Sequence, residues 1–186
     1  VDGPGRGAVE HLLQIHAADP PTGVPRPSLC PMSESEERAA TALRDSGIDH
    51  EIVRHARVRS LEEAAEARGV RPADIIKTLV VRRAEDDYLF VLVPGDREID
   101  WPKLRAHLGV NRLSMPDAET ALEVTGYERG TITPFGSTRA WPVVADTTIL
   151  EPEGRSISLG AGGHGVSATV PAAAAMDALG ASVADV

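Results

Sequence analysis

Two apolar runs separated by four residues constrain this chain most. They are "IIKTLVVRR" from Ile75 and "YLFVLVP" from Tyr88, on either side of the acidic turn "AEDD". Both are short and rich in β-branched and aromatic residues, so they predict two strands of a hairpin. In strand geometry Lys77 shares a face with Ile75, Leu79 and Val81, while Ile76, Thr78 and Val80 share the other. Lys77 therefore sits among apolar neighbours whichever face looks inward. The chain uses lysine at only two of its nineteen basic positions, Lys77 and Lys103, and arginine elsewhere. A desolvated ammonium group without a partner costs several kcal/mol or loses its proton. Two readings follow. Either the stem packs while the head reaches water, or the lysine projects into a cleft to hold an anion or a polar substrate.

The length, 186 residues, suits one compact domain. Aromatic residues make up only 3%, so the core must be built from Val, Leu, Ile and Ala. No apolar run approaches the roughly 18 residues that span a bilayer, and no secretory signal pattern is visible. The single cysteine, Cys30, cannot form an intramolecular disulfide, so the expected setting is cytoplasmic. A net charge of −9 argues against a general nucleic-acid coat but leaves room for a local basic patch. Residues 1–31 hold six of the fourteen prolines and four glycines with almost no periodicity. They read as a disordered extension, with the folded domain over residues 32–186.

Within that domain the punctuation is regular. Ser33 and Glu36 make a capping-box spacing before a helix that Gly47 closes, and Ser60 and Glu63 repeat it before "LEEAAEAR" and Gly69. Asp100, Pro102 and Gly109 bracket a further helix. Ser114 and Pro116 are expected to open another, "PDAETALEVT", ended by Gly126, and Pro171 opens "AAAAMDAL". "IDHEIV", "WPVVAD", "RSISL" and "VSATV" read as short strands. Interleaved helices and strands, with some strand connections too short for a crossover, predict an α+β fold. Its core is a mixed, mostly antiparallel and partly barrel-like sheet with helices packed around it.

Two glycine-containing loops are candidates for chemistry. In "RGTITPFGS", Gly130 and Gly136 bracket Thr131, Ile132, Thr133, Pro134 and Phe135. Glycine opens backbone conformations closed to other residues and proline fixes one, so such a loop can present amides and carbonyls to a ligand. In "SLGAGGHGVS", Gly160, Gly162 and Gly165 satisfy G-x-G-x-x-G, but the strand-like "VSATV" follows where a dinucleotide site needs a helix. The loop instead places Gly162, Gly163 and His164 between two strands. His50 and His55, like His11 and His16, have no metal-ligand spacing. Ser137, His164 and Asp146 could be assembled on paper into a triad, but no nucleophile-elbow sequence accompanies them.

Taken in order, "IIKTLVV", "GTITPFG" and "SLGAGGHG" resemble the YbaK and prolyl-tRNA synthetase-associated domain family, as do "VLVPGDREIDWPKLRAHLG" and "LSMPDAETALEVTGYERG". The resemblance runs from about Met32 to the C-terminus. It implies a freestanding aminoacyl-tRNA deacylase, which hydrolyses the ester joining a small amino acid to the 3′ end of a mischarged tRNA. It implies no metal or other cofactor, no DNA and no membrane. Its partners would be the tRNA acceptor end and an aminoacyl-tRNA synthetase. Lys77 would match the family's essential strand lysine, orienting the ester or holding the terminal phosphate. The Gly130-to-Pro134 loop would grip the aminoacyl group, and Gly162, Gly163 and His164 would form the second substrate loop. Thr78 after the lysine is similar to the cysteine-directed branch, whereas Phe135 in "TITPFG" is similar to the alanine-directed one. The amino acid therefore stays open among alanine, cysteine, serine or another small residue, with Ile132, Val143 and Leu159 as candidate apolar walls. Arg82, Arg83, Arg97, Lys103, Arg105 and Arg112 are candidate phosphate contacts. Two other readings are a catalytically inactive module that binds aminoacyl-tRNA or a small ligand, and a hydrolase of small aminoacyl esters.

Overall fold

The computed structural model describes residues 32–56 and 58–186. The expected disordered extension, with Cys30, lies outside the described residues. In chain order the elements are α1 (Glu34–Asp45), β1 (Glu51–Arg54), α2 (Leu61–Arg68), β2 (Ile76–Ala84), β3 (Asp87–Pro94), α3 (Trp101–Leu108) and α4 (Ala118–Thr125). They continue with β4 (Val143–Asp146), β5 (Ser156–Gly160), β6 (Val166–Pro171), α5 (Ala172–Ala178) and β7 (Ser182–Ala184). One-turn 3₁₀ segments precede β2, at Pro72–Asp74, and follow β4, at Thr147–Leu150.

Local chemistry sets most helix ends. Ser33, Ser60 and Asp100 accept hydrogen bonds from the amides of Glu36, Glu63 and Lys103, satisfying first-turn donors. Gly69 and Gly109 stop α2 and α3 in the left-handed conformation. The fourth helix begins later than its sequence suggests. Asp117 caps it through the Thr120 amide, while Ser114 is drawn into a two-way backbone bridge with Arg82.

The strands form two sheets, so the partly barrel-like expectation is corrected to two open sheets. One has the order β1-β6-β5 and is antiparallel. The other has the order β2-β3-β4-β7, with an antiparallel hairpin and two parallel pairings. Among the described residues they meet at one bridge, between Ile75 and Ser158. The final strand, β7, is absent from the sequence expectations.

The hairpin explains its own composition. On β3, Tyr88, Phe90 and Leu92 face a core shared with Ile157, Leu159, Ala168 and Val170 of the other sheet. Leu89, Val91 and Val93 face a second core closed by Leu104 of α3, Val144 and Val186. Buried on both faces, β3 reads as a continuous apolar run instead of an alternating one. Each of its large side chains contributes about 1.5–3 kcal/mol by leaving water. Val143 and Leu159, expected as pocket walls, lie in the first core instead. Among the described residues no helix is long and apolar enough to cross a membrane.

Candidate functional site: a cleft beside strand β2

Where the two sheets diverge, a cleft of about 450 Å³ opens. Its walls are residues Ile75 to Val80 of β2 and the segment before it, the start of α4 from Met115, the loop at Arg129 to Ile132, and Gly160 and Arg68. Lys77, Thr78, Gly130 and Ile132, four of the residues singled out in the sequence, are therefore brought to one cleft.

Lys77 lies near the start of β2, opposite Val93 in register, and is half-buried. Its ammonium group donates to the Arg97 carbonyl. No carboxylate lies within salt-bridge distance of it among the described residues. An ammonium has three donors, so two remain for a ligand. The reading in which the head simply reaches water does not fit entirely, because the head is tied to the Arg97 backbone. Thr78, on the opposite face, has a buried hydroxyl with no hydrogen-bond partner.

The loop after α4 divides into a presenting half and a bracing half. Gly130 has φ +94°, open to glycine and strained for other residues, and the Thr131 amide closes the turn onto the Glu128 carbonyl at 3.0 Å. The Ile132 amide has no acceptor among the described residues and belongs to the part of the loop that lines the cleft. The Thr131 carbonyl accepts from the Gly162 amide at 3.1 Å. A Cβ on Gly160 would sit 3.0 Å from the Ile132 carbonyl oxygen. Thr131, Thr133 and Phe135 point inward and are buried. Pro134 and Gly136 do not line the cleft.

Tyr127 braces this half. Fully buried, it donates through its hydroxyl to the Phe135 carbonyl at 2.7 Å, and burial pushes its pKa up to about 12. Arg38 of α1 stacks over the Tyr127 ring at 5.2 Å and donates to the Gly126 carbonyl at 2.6 Å. Any Cβ on Gly136 would run into the Arg38 backbone.

The second glycine loop is placed differently from the first. Gly162 and Gly163 press against Ser35 and Glu36 at the start of α1, where a Cβ on either would collide. They pack against α1 and do not line the cleft. His164 is exposed and donates through Nε2 to the Glu128 carboxylate at 3.1 Å. It stands beside Gly130, whose Cβ position is 3.7 Å from the His164 Cε1. The paper triad does not assemble: Asp146 is fully buried and bound to Arg97 and Thr148, and Ser137 donates to the Thr125 carbonyl.

Sequence reasoning missed several wall residues, among them Met115, Asp117, Ala121 and the two cations Arg68 and Arg129. As the last residue of α2 before Gly69, Arg68 looks like an ordinary cation at a helix C-terminus, favoured there by the dipole.

Residues 55–178 match the family model of the aminoacyl-tRNA editing domain. The chain belongs to that family. It is 39% identical over 101 residues to a proline–tRNA ligase of Thermosipho melanesiensis, covering 54% of this chain and 18% of the ligase. It is 29% identical over 149 residues to the ligase of Citrifermentans bemidjiense, covering 77% and 26%. The chain thus spans about a quarter or less of these relatives. A crystal structure of a candidate trans-editing enzyme for prolyl tRNA synthetase superposes with a TM-score of 0.75 at 26% identity, over 83% of this chain and 98% of that one. The α+β fold expected from the sequence is the fold of that enzyme.

Proposed function

We propose that this chain hydrolyses the ester between a small amino acid and the 3′-terminal ribose of a mischarged tRNA, acting in trans in the cytoplasm. One observation carries the reading: Lys77, half-buried on the edge strand β2, and Ile132, whose amide has no acceptor among the described residues, line the same cleft.

An ester is already reactive, so positioning and polarisation supply much of what catalysis needs. In the proposed step a water oxygen bonds to the carbonyl carbon and the bond to the ribose oxygen breaks. The ribose oxygen leaves with a proton. The Ile132 amide is suited to the negative charge that builds on the carbonyl oxygen, and Lys77 to orienting the ester. Ile132 itself, beside Ala118 and Ala121, supplies the apolar wall for a small side chain.

A second groove supports a tRNA substrate. Arg82, Arg83, Arg105 and Arg112 gather around a recess of about 640 Å³. Lys103 and Arg97, the other two candidates, are instead engaged with Asp185 and Asp146. From Lys77 to Arg82 the strand rises about 16 Å, a span that a few unpaired nucleotides can cover. The arginines would then meet the first phosphates of the acceptor stem.

The test is ester loss from tRNAs charged with Ala, Cys, Ser, Thr and Pro. Loss from one or two members, abolished by Lys77→Ala in a folded protein, supports the proposal. No turnover on any member overturns it in favour of a binding module. Equal turnover of a free aminoacyl-nucleotide would assign the activity to small esters.

A further inference from the structure

Arg68 enters the cleft from the end of α2 with no acidic partner. Its Nε donates to the Nε2 of His55 at 3.3 Å and its Nη1 to the Ser158 hydroxyl at 3.3 Å. The Ala56 carbonyl, 2.8 Å from the His55 Nδ1, can only accept, so the His55 proton sits on Nδ1 and Nε2 is free to receive Arg68. The guanidinium is thus oriented by two neutral groups. Nη2 has no partner among the described residues.

Its surroundings are settled parts of the fold. Ser158 is fully buried and lies at the bridge that joins the two sheets. The His55 amide is bonded to the Gly165 carbonyl at 2.8 Å. Burial lowers the Arg68 pKa, the direction expected of a cation partly stripped of water and given no counter-ion. The cleft wall does contain one carboxylate, Asp117, but its Oδ1 caps α4 through the Thr120 amide at 2.8 Å, and it makes no ion pair with Arg68. A half-desolvated guanidinium with a free donor edge matches oxyanion geometry, because its fork can bind two oxygens at once.

We propose that Arg68 is an oxyanion anchor of the cleft, receiving either the phosphate of a terminal nucleotide or the carboxylate of a released amino acid. This rests on the editing reading for the source of the anion, but its test needs no turnover. The intact chain is titrated with two matched pairs, AMP against adenosine and L-alanine against L-alaninamide, by calorimetry. Wild type should bind the member of one pair that carries the oxyanion, AMP or L-alanine, about tenfold or more tightly than the member that lacks it. The AMP pair would point to phosphate and the alanine pair to carboxylate.

Arg68→Gln should erase that preference with unchanged thermal unfolding, and Arg68→Lys should restore part of it, since charge survives and the fork does not. Equal binding within both pairs, no binding of either pair at millimolar concentration, or an Arg68→Gln variant that keeps the preference would each overturn the anchor. A protein that binds AMP through Arg68 but deacylates no charged tRNA would remove the hydrolase and keep the anchor. Normal deacylation with unaltered anion binding in Arg68→Gln would do the reverse.

Discussion

Lys77 and Arg97 are joined head to backbone. The Lys77 ammonium donates to the Arg97 carbonyl, while the Arg97 side chain reaches the other way, to Asp146 at 3.3 Å and Thr148 at 3.3 Å. Asp146 is fully buried and also accepts from the amides of Thr148 and Val186. The lysine head is therefore referenced to the C-terminal end of the second sheet. Lys77→Ala breaks no ion pair and should leave thermal unfolding nearly unchanged while lowering deacylation about a hundredfold or more, on the proposed role. Lys77→Arg should not rescue it, because a planar fork does not replace a compact ammonium group. Arg97→Ala should cost about 1–3 kcal/mol, since it leaves a buried carboxylate short of its cation. If the reference matters, it should also lower kcat more than it raises KM. Urea unfolding and steady-state kinetics separate the two effects.

Asp74 should govern acid stability. Hydrogen bonding from Arg71 is the first cause holding its carboxyl below the ordinary 3.8; burial opposes this, and Arg155 adds to the lowering. Arg155, itself nearly buried, reaches Asp74 at 2.6 Å from the turn before β5. Because the folded state lowers this pKa, the stabilisation is fully present above about pH 3.8. It is lost as pH falls through the lower folded value. Wild type should lose stability across that acid window, and Asp74→Asn should be less stable at neutral pH with a flatter acid limb. Unfolding midpoints measured from pH 7 to pH 2 test this directly.

Gly162 and Gly154 distinguish packing from backbone strain. Both have positive φ, +80° and +78°. A Cβ at Gly154 meets nothing within 4 Å, whereas one at Gly162 strikes the Ser35 carbonyl and lies 2.9 Å from the Tyr127 ring. Gly154→Ala should cost about 1 kcal/mol for the left-handed backbone. Gly162→Ala should cost more, by about 1–3 kcal/mol, because α1 or Tyr127 must move. Chemical denaturation compares them, and equal losses would show that α1 is not held by this loop.

What the sequence made legible was local. The hairpin showed itself because β3 is apolar on both faces, and α3 was bounded to the residue because Asp100 and Gly109 do their capping within a turn. β7 could not be seen: three residues, two of them exposed, carry no period, and their parallel pairing with β4 is non-local. The division into two sheets depends on which partners β5 and β6 choose, and strand composition does not encode that. The site followed the same rule. Lys77 stood out as a charge in an apolar strand, but Arg68 hid in an ordinary helix end. The packing of Gly162 and Gly163 on α1 depends on residues more than a hundred positions away.

The arginine groove makes the tRNA reading quantitative. Arg105 and Arg112 have no acidic partner among the described residues, whereas Arg83 is paired with Asp87 at 2.8 Å and Arg82 donates to the Ala84 carbonyl. The first two are therefore the better probes of phosphate binding, since their removal leaves no carboxylate without its ion-pair partner. Removing one phosphate-binding arginine should reduce the slope of log affinity against log salt by about 0.9 for a duplex. The double variant Arg105→Gln with Arg112→Gln should raise KM for full-length charged tRNA about tenfold and flatten its salt dependence by nearly two. For a charged oligonucleotide carrying only the unpaired 3′ end, KM and kcat should be unchanged. If that short substrate is affected as strongly as the full tRNA, the groove does not touch the stem.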